Sequence, residues 1–291
     1  EKYRIKGGEE REREVIEHEY RHSETGKVED PALLERLRAL KIPPGWSDVR
    51  IAHDEIAPLQ VTGMDAAGRK QYIYSAEHTQ RAAAEKWERL KAFHAELPKI
   101  RAGVEKALES KDKGEADAAT VLYLIDRTGF RVGGEHEEAK VKAYGASTLL
   151  GRHAQVEGDV VRFAFIGKKG VQQSREVKDA KLARLISDRK HGDDDPLFSV
   201  DQGRVLRFLG KVDGQHKVHD FRGYQATEMA AEQVDALSLP KNEAELRKRK
   251  LEVAKVVAQH LGNAPKMALD SYISPVVWAK WEEALRVLSN G

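Results

Sequence analysis

Residues 160–177 read V-V-R-F-A-F-I-G-K-K-G-V-Q-Q-S-R-E-V. Val160–Ile166 and Val171–Val177 are β-favouring runs, and the GKKG between them, 167–170, carries a glycine at each end that permits a tight reversal. The stretch predicts a β-hairpin with Lys168 and Lys169 at its tip. It belongs to a β interlude over 148–177, and helical periodicity surrounds it. Helices are expected at 79–95, 99–108 and 115–127 upstream, and at 182–189, 204–211, 223–237, 243–261 and 276–288 downstream. Before residue 80 the character differs. A short helix at 31–40 stops at Pro43-Pro44-Gly45, and short β runs follow at 48–52, 59–62 and 71–74, the last after an AAGRK turn at 66–70. The expected fold is α+β: a small β-rich N-terminal lobe, 1–79, and a larger, mostly α-helical lobe, 80–291.

Bulk properties agree with two lobes, because 291 residues exceed the roughly 100–200 of a typical domain. Apolar residues make up 40% and charged residues 34%, no apolar run approaches the ~18 residues that cross a bilayer, and no signal-peptide pattern opens the chain, so a cytoplasmic enzyme without membrane contact is expected. The absence of cysteine excludes disulfides, thiolate metal sites and cysteine nucleophiles together. The net charge of +2 hides local basic clusters, RKRK at 247–250, KK at 168–169 and RK at 69–70, which suit nucleic acid and also suit an ordinary wet surface.

Two familiar chemistries fail on inspection. HEYRH at 18–22 fits the H-E-x-x-H of zinc peptidases, but its flanks, REREVIE and SETGK, are almost free of apolar residues, so the buried helix that such a site needs is not expected and no metal is assigned. GKKG lacks the upstream glycine and the Ser/Thr after lysine of a P-loop, and no G-x-G-x-x-G occurs, so no nucleotide cofactor is assigned either.

Three other segments gain meaning together. LIDRTGFRVGGE at 124–135 ends an apolar helix and delivers Arg127 and Arg131 into a glycine-rich turn. HDFRGYQAT at 219–227 sets His219 and Arg222 three apart at a helix start, where free N–H groups favour an anion. LGNAPKMALDSYI at 261–273 sets Asn263 nine residues before Tyr272. Singly, each reads as surface arginines, a cap or a buried tyrosine.

In order, an arginine, a hairpin lysine, a second arginine in H-x-x-R, then a hydrogen-bond donor nine residues before tyrosine resemble the catalytic domain shared by type IB DNA topoisomerases and tyrosine recombinases. LKIPPGWSDVRI (40–51), GRKQYIY (68–74), DRTGFRVG (126–133) and YGASTLLGRH (144–153) resemble the compact poxviral and bacterial topoisomerases, and the likeness runs from about residue 27 to the C-terminus. A site-specific tyrosine recombinase is the alternative. The resemblance implies a C-shaped clamp acting as a monomer on double-stranded DNA without ATP or metal. It implies Tyr272 as the nucleophile forming a 3′-phosphotyrosyl link, Arg131 and Arg222 as cationic forks on the phosphate, and Asn263 as a further donor where most relatives carry histidine. It implies Lys168 as the general acid, with Lys169 as its rival; His219 is a further candidate for the phosphate, and Arg127 is second choice to Arg131. On the small lobe it implies Gln71 and Tyr72 at base edges and Tyr74 near the backbone, beside Arg69 and Lys70. In a bacterium the enzyme would sit at the nucleoid.

Overall fold

The computed structural model describes residues 2–4, 10–12, 21–22, 26–134 and 142–290. The chain divides into two compact units, Glu1–Glu85 and Lys86–Gly291. The first opens with two short antiparallel pairs, β1 (Lys2–Arg4) with β2 (Glu10–Glu12) and β3 (Arg21–His22) with β4 (Gly26–Lys27). The histidine side chains of the HEYRH motif and the turn expected at 24–27 lie largely outside the described residues. Helix α1 (Pro31–Ala39) starts where Asp30 accepts the Ala32 N–H and proline supplies a ready-made helical φ. Strands β5 (Ser47–Ile51), β6 (Leu59–Met64) and β7 (Lys70–Tyr74) form an antiparallel sheet in that order, so β7 is an edge strand.

Helix α2 (Ala76–Ala107) carries the chain out of this unit and into the next. It is one helix where the sequence suggests two, because Pro98 lies inside it. Leu90, Phe93, Leu97, Ile100 and Val104 continue one buried stripe through the proline without a change of phase. Burial of each contributes about 1.5–3 kcal/mol. Together they outweigh the ~3 kcal/mol of an interior proline. Pro98 and His94, whose carbonyl loses its helical partner, both lie on the exposed side of the helix, away from that stripe.

The second unit continues with α3 (Lys113–Thr128), an antiparallel sheet of β8 (Ala154–Glu157), β9 (Val160–Ile166) and β10 (Gln172–Lys178) with β9 central, then α4 (Ala180–Ser187), α5 (Gln202–Val212), α6 (Val218–Ala236), α7 (Glu243–Leu261), α8 (Pro265–Ser271) and α9 (Ala279–Asn290). The expected hairpin is present, with Gln172 paired to Ile166. Two 3-10 turns, Ala146–Thr148 and Gly151–His153, occupy the start of the expected β interlude, and its first strand begins only at Ala154. Gly151 sits there against the Gly192 backbone, with no room for a side chain. Two apolar cores fill the unit. One gathers α2, α3, the sheet, α4, α5 and the start of α6 through Val218 and Phe221; the other gathers α6 from Ala226 onward with α7, α8 and α9 around Trp281 and Tyr272. Among the described residues no helix is long and apolar enough to cross a membrane.

Candidate active site

The two cores meet at Arg222. This side chain is 3% exposed and rises from the first turns of α6. One of its terminal amines donates to the carbonyl of Gly129, which ends α3 in a left-handed turn at φ 66°. The other donates to the carbonyl of Leu261 at 2.9 Å, where α7 ends. Helix C-termini present unpaired carbonyls. Here a guanidinium fork bridges two of them, using two of its five donors. Its Nε keeps no partner among the described residues. Burial holds the Arg222 guanidinium below its ordinary pKa, and the adjacent Tyr272 works against that shift.

A cleft opens beside this fork. Arg131, Lys168 and Arg222 all line it, with Phe130, Tyr144, Phe165 and Gln173. Arg131 has no ion-pair partner among the described residues, and its backbone carbonyl is tied to the N–H of Ala146 at 2.8 Å. Gly145 makes that approach possible, since a Cβ there would stand 2.4 Å from the Gly133 Cα and 2.7 Å from the Arg131 carbonyl oxygen. Of the two tip lysines it is Lys168 that lines the cleft. Lys169 takes the left-handed conformation that turns the chain, at φ 63°. The reversal therefore uses Lys169 and Gly170, whereas Gly167 is extended at φ −94°.

Tyr272 caps the C-terminus of α8, which lies outside the helices expected from the sequence. Its ring centroid lies 5.2 Å from the Arg222 guanidinium carbon and 5.0 Å from the His219 ring. Thr227 reaches the Tyr272 carbonyl at 3.4 Å and accepts the Ser274 N–H at 3.1 Å, which fixes the backbone on both sides of the tyrosine. His219 keeps one edge in solvent. Lost hydration on its packed side, then the charges of Arg222 and Arg131, push its pKa down to about 4, so it is neutral at pH 7. Asn263 follows the left-handed Gly262 at the end of α7, and both polar atoms of its amide are buried without a partner among the described residues. Such an orphan amide costs on the order of 1–3 kcal/mol. It is suited to a ligand that both supplies and receives hydrogen bonds, or to an anion on its NH₂.

Arg127 is not brought to this cleft. Its guanidinium donates to Asp126 at 2.7 Å and Asp179 at 3.1 Å and stacks on Tyr123, so it is spent in a structural network. Three residues were missed in the sequence. Arg175 of β10 meets the Nδ1 of His260 at 2.8 Å and donates to its carbonyl, and burial lowers the Arg175 pKa. His260 also contacts Gln225 at 3.0 Å, and burial, then Arg175 and Arg222, push its pKa down to about 4. Lys86 donates to the carbonyl of Ser271, next to Tyr272, at 2.5 Å. Strand alternation puts Arg175 on the same side of β10 as the cleft-lining Gln173, a signal that could have found it.

In the first unit, Lys70, Tyr72 and Tyr74 alternate onto the exposed face of edge strand β7, and Tyr72 and Tyr74 are about half exposed, at 48% and 47%. Their rings stack 6.3 Å apart, and Tyr74 continues onto His78 at 5.0 Å. Gln71 turns to the opposite face and donates to Asp65 at 2.9 Å. Arg69 pairs with the same carboxylate at 2.7 Å.

Residues 75–276 match the family model of the eukaryotic DNA topoisomerase I catalytic core, and residues 17–65 match that of the bacterial DNA topoisomerase IB N-terminal domain. The chain is 26% identical to DNA topoisomerase 1B of Acanthamoeba polyphaga mimivirus over 82% of its own length and 77% of that protein. It is 27% identical to DNA topoisomerase 1 of Drosophila melanogaster and 25% identical to that of Homo sapiens, each over 68% of this chain, but it spans only 22% and 28% of those longer enzymes. Among solved structures, the XerH site-specific recombinase bound to its difH substrate is similar at 16% identity and a TM-score of 0.42, covering 67% of this chain and 53% of that one. The chain belongs to the type IB DNA topoisomerase family. It is accordingly an enzyme of the isomerase class.

Proposed function

We propose that Tyr272 is the nucleophile that cleaves one strand of duplex DNA and that Arg131, Lys168, Arg222 and Asn263 serve that step. The phenol gives up its proton to solvent, its phenolate oxygen attacks a backbone phosphorus, a 3′-phosphotyrosyl bond forms, and the bond to the 5′-oxygen breaks. A phosphodiester already carries a negative charge, and the pentacoordinate transition state places more on its oxygens. Fixed guanidinium forks are strongest there because they need no reorganisation as the charge develops. Asn263 adds a neutral donor from an amide that has no other partner among the described residues. The departing 5′-oxygen needs a proton, and Lys168 supplies it as general acid. His219, neutral at pH 7, donates to a phosphate oxygen without adding charge. The phosphotyrosyl link conserves the energy of the broken bond, so religation needs no ATP, and the duplex rotates while the 5′ end is free.

The observation that carries this reading is the gathering of Arg131, Lys168 and Arg222 on one cleft, with the Tyr272 ring against Arg222. The exposed Lys70–Tyr72–Tyr74 face of β7 supplies a cation and two aromatic rings for the DNA surface. Gln71 and Arg69 would join it only by releasing Asp65. Since one chain carries the whole set, the enzyme works as a monomer on double-stranded DNA; in a bacterial cell its place is the nucleoid. Supercoiled plasmid incubated with the protein and EDTA, without ATP, tests the reading. Relaxation of plasmids lacking any special site supports it. Activity confined to paired recombination sites would replace it with the recombinase reading.

A further inference from the structure

Glu96, Asp213 and His216 lie away from the catalytic cleft and take no part in the chemistry above. Glu96 comes from α2, Asp213 caps the C-terminus of α5, and His216 sits in the turn that leads into α6. Their ligand atoms all lie within 4.8 Å of one another. The His216 side chain is 1% exposed, and neither ring nitrogen has a hydrogen-bond partner among the described residues. Its Nε2 points between two carboxylates, 3.8 Å from Glu96 Oε2 and 3.8 Å from Asp213 Oδ2.

Those separations are informative. They exceed the roughly 2.7–3.2 Å of an N–H···O hydrogen bond, so neither contact satisfies the ring. A cation held about 2.0–2.1 Å from an imidazole nitrogen and about 2.0–2.2 Å from a carboxylate oxygen spans such gaps, and the half-buried Glu96 has the freedom to close them further. Asp213 raises the same question independently. Its side chain is 5% exposed, its Oδ2 accepts the His216 backbone N–H at 3.2 Å, and its one ion-pair partner among the described residues is that imidazole at 3.8 Å. Buried carboxylates are normally paired or bound to metal. Phe93 packs edge-on against the ring at 5.2 Å and closes the apolar side.

The structure assigns to Glu96, Asp213 and His216 a binding site for one divalent transition-metal ion of the Zn²⁺ class. An imidazole with two carboxylates suits such an ion, whereas Mg²⁺ and Ca²⁺ favour all-oxygen sets. Three protein ligands leave a fourth position, and it opens on the half-exposed Glu96 side. The ion would pin α2 and the end of α5 to the turn preceding Val218, where α6 begins. That turn leads within one helical turn to His219 and Arg222, so the ion steadies the entrance of the helix that bears them without touching the reacting phosphate.

The test uses the full chain stripped with chelator, then dialysed against Zn²⁺, with Co²⁺ as a visible-absorbing probe of the same site. One equivalent should bind, raise the melting temperature, and give a Co²⁺ spectrum that Mg²⁺ does not displace. Loss of an outer partner of a metal ligand costs roughly 10–100-fold in affinity, so loss of a ligand in Glu96→Gln or Asp213→Asn should cost on the order of 100-fold. Glu96 is half-exposed, so Glu96→Gln keeps the test interpretable even where His216→Asn fails to fold. Failure to bind stoichiometric metal overturns the assignment. So does binding that survives both carboxylate substitutions, or that vanishes instead in His18→Gln with His22→Gln. Each readout is independent of DNA relaxation.

Discussion

The guanidinium carbon of Arg222 lies 5.2 Å from the ring centroid of Tyr272, while its two terminal amines are anchored on the last carbonyls of two different helices. One side chain therefore both joins the two cores of the large unit and stands beside the proposed nucleophile. Arg222→Lys separates the roles from charge alone, because an ammonium cannot span both the Gly129 and Leu261 carbonyls. The variant should melt at a lower temperature, and its relaxation rate should fall on the order of 10²–10³-fold, the usual cost of one lost transition-state donor. Melting curves and single-turnover cleavage check the two effects separately.

Asn263 should behave in the opposite way in stability. Its buried amide has no partner among the described residues, so Asn263→Ala removes a polar group that costs the unliganded fold on the order of 1–3 kcal/mol. We expect a melting temperature equal to or above that of the native protein, with cleavage slowed by about 10². Asparagine does not titrate. Asn263→His should therefore introduce a pH-dependent limb into the cleavage rate that the native enzyme lacks.

The hairpin tip offers a paired test. Lys168→Ala should slow cleavage by roughly 10²–10⁴, the range for a lost general acid. Lys169→Gly should leave the rate within a few-fold of native, because glycine accepts the φ of 63° that Lys169 adopts and the turn is kept. Equal losses in the two variants would deny Lys168 its role.

This tip illustrates what was legible in the sequence. The two β runs, the turn and the convergence of Arg131, Lys168 and Arg222 follow from local pattern and from spacing that a known family repeats. What was not legible depends on packing between distant segments. Pro98 predicts a break, but the apolar stripe from Leu90 to Val104 overrides it. Arg127 and Arg131 look equivalent one turn apart, and only the fold shows Asp126 and Asp179 claiming the first. Gln71 and Tyr72 are adjacent in the sequence and so take opposite faces of β7, a separation that the motif alone does not display. Lys86 reaches the Ser271 carbonyl from 185 residues away, beyond any local pattern.

Acid should destabilise the protein through two histidines. In the unfolded chain His219 and His260 take up protons near 6.5, whereas in the folded chain burial and neighbouring arginines delay this to about 4. Between those values the unfolded chain holds more protons, so stability falls as pH drops from 6.5 to about 4 and these groups add no further loss below. Urea melts across this range should show the slope, and His260→Gln should flatten it. A native slope unchanged in that variant would remove His260 from the account.

Close packing around Arg131 supplies another test. In Gly145→Ala the new methyl would stand 2.7 Å from the Arg131 carbonyl oxygen and 2.4 Å from the Gly133 Cα, both backbone atoms that cannot swing aside. Overpacking of this kind costs typically 1–3 kcal/mol. The substitution should lower the melting temperature and slow cleavage together by displacing Arg131, with DNA affinity much less affected.

The central claim is that the phenol of Tyr272 becomes joined to DNA. Duplex DNA incubated with the enzyme and quenched in denaturant should yield a covalent adduct whose peptide carries a 3′-phosphate on Tyr272, and Tyr272→Phe should give no adduct while still binding the duplex. An adduct that persists in Tyr272→Phe, or that maps to another residue, would contradict the account.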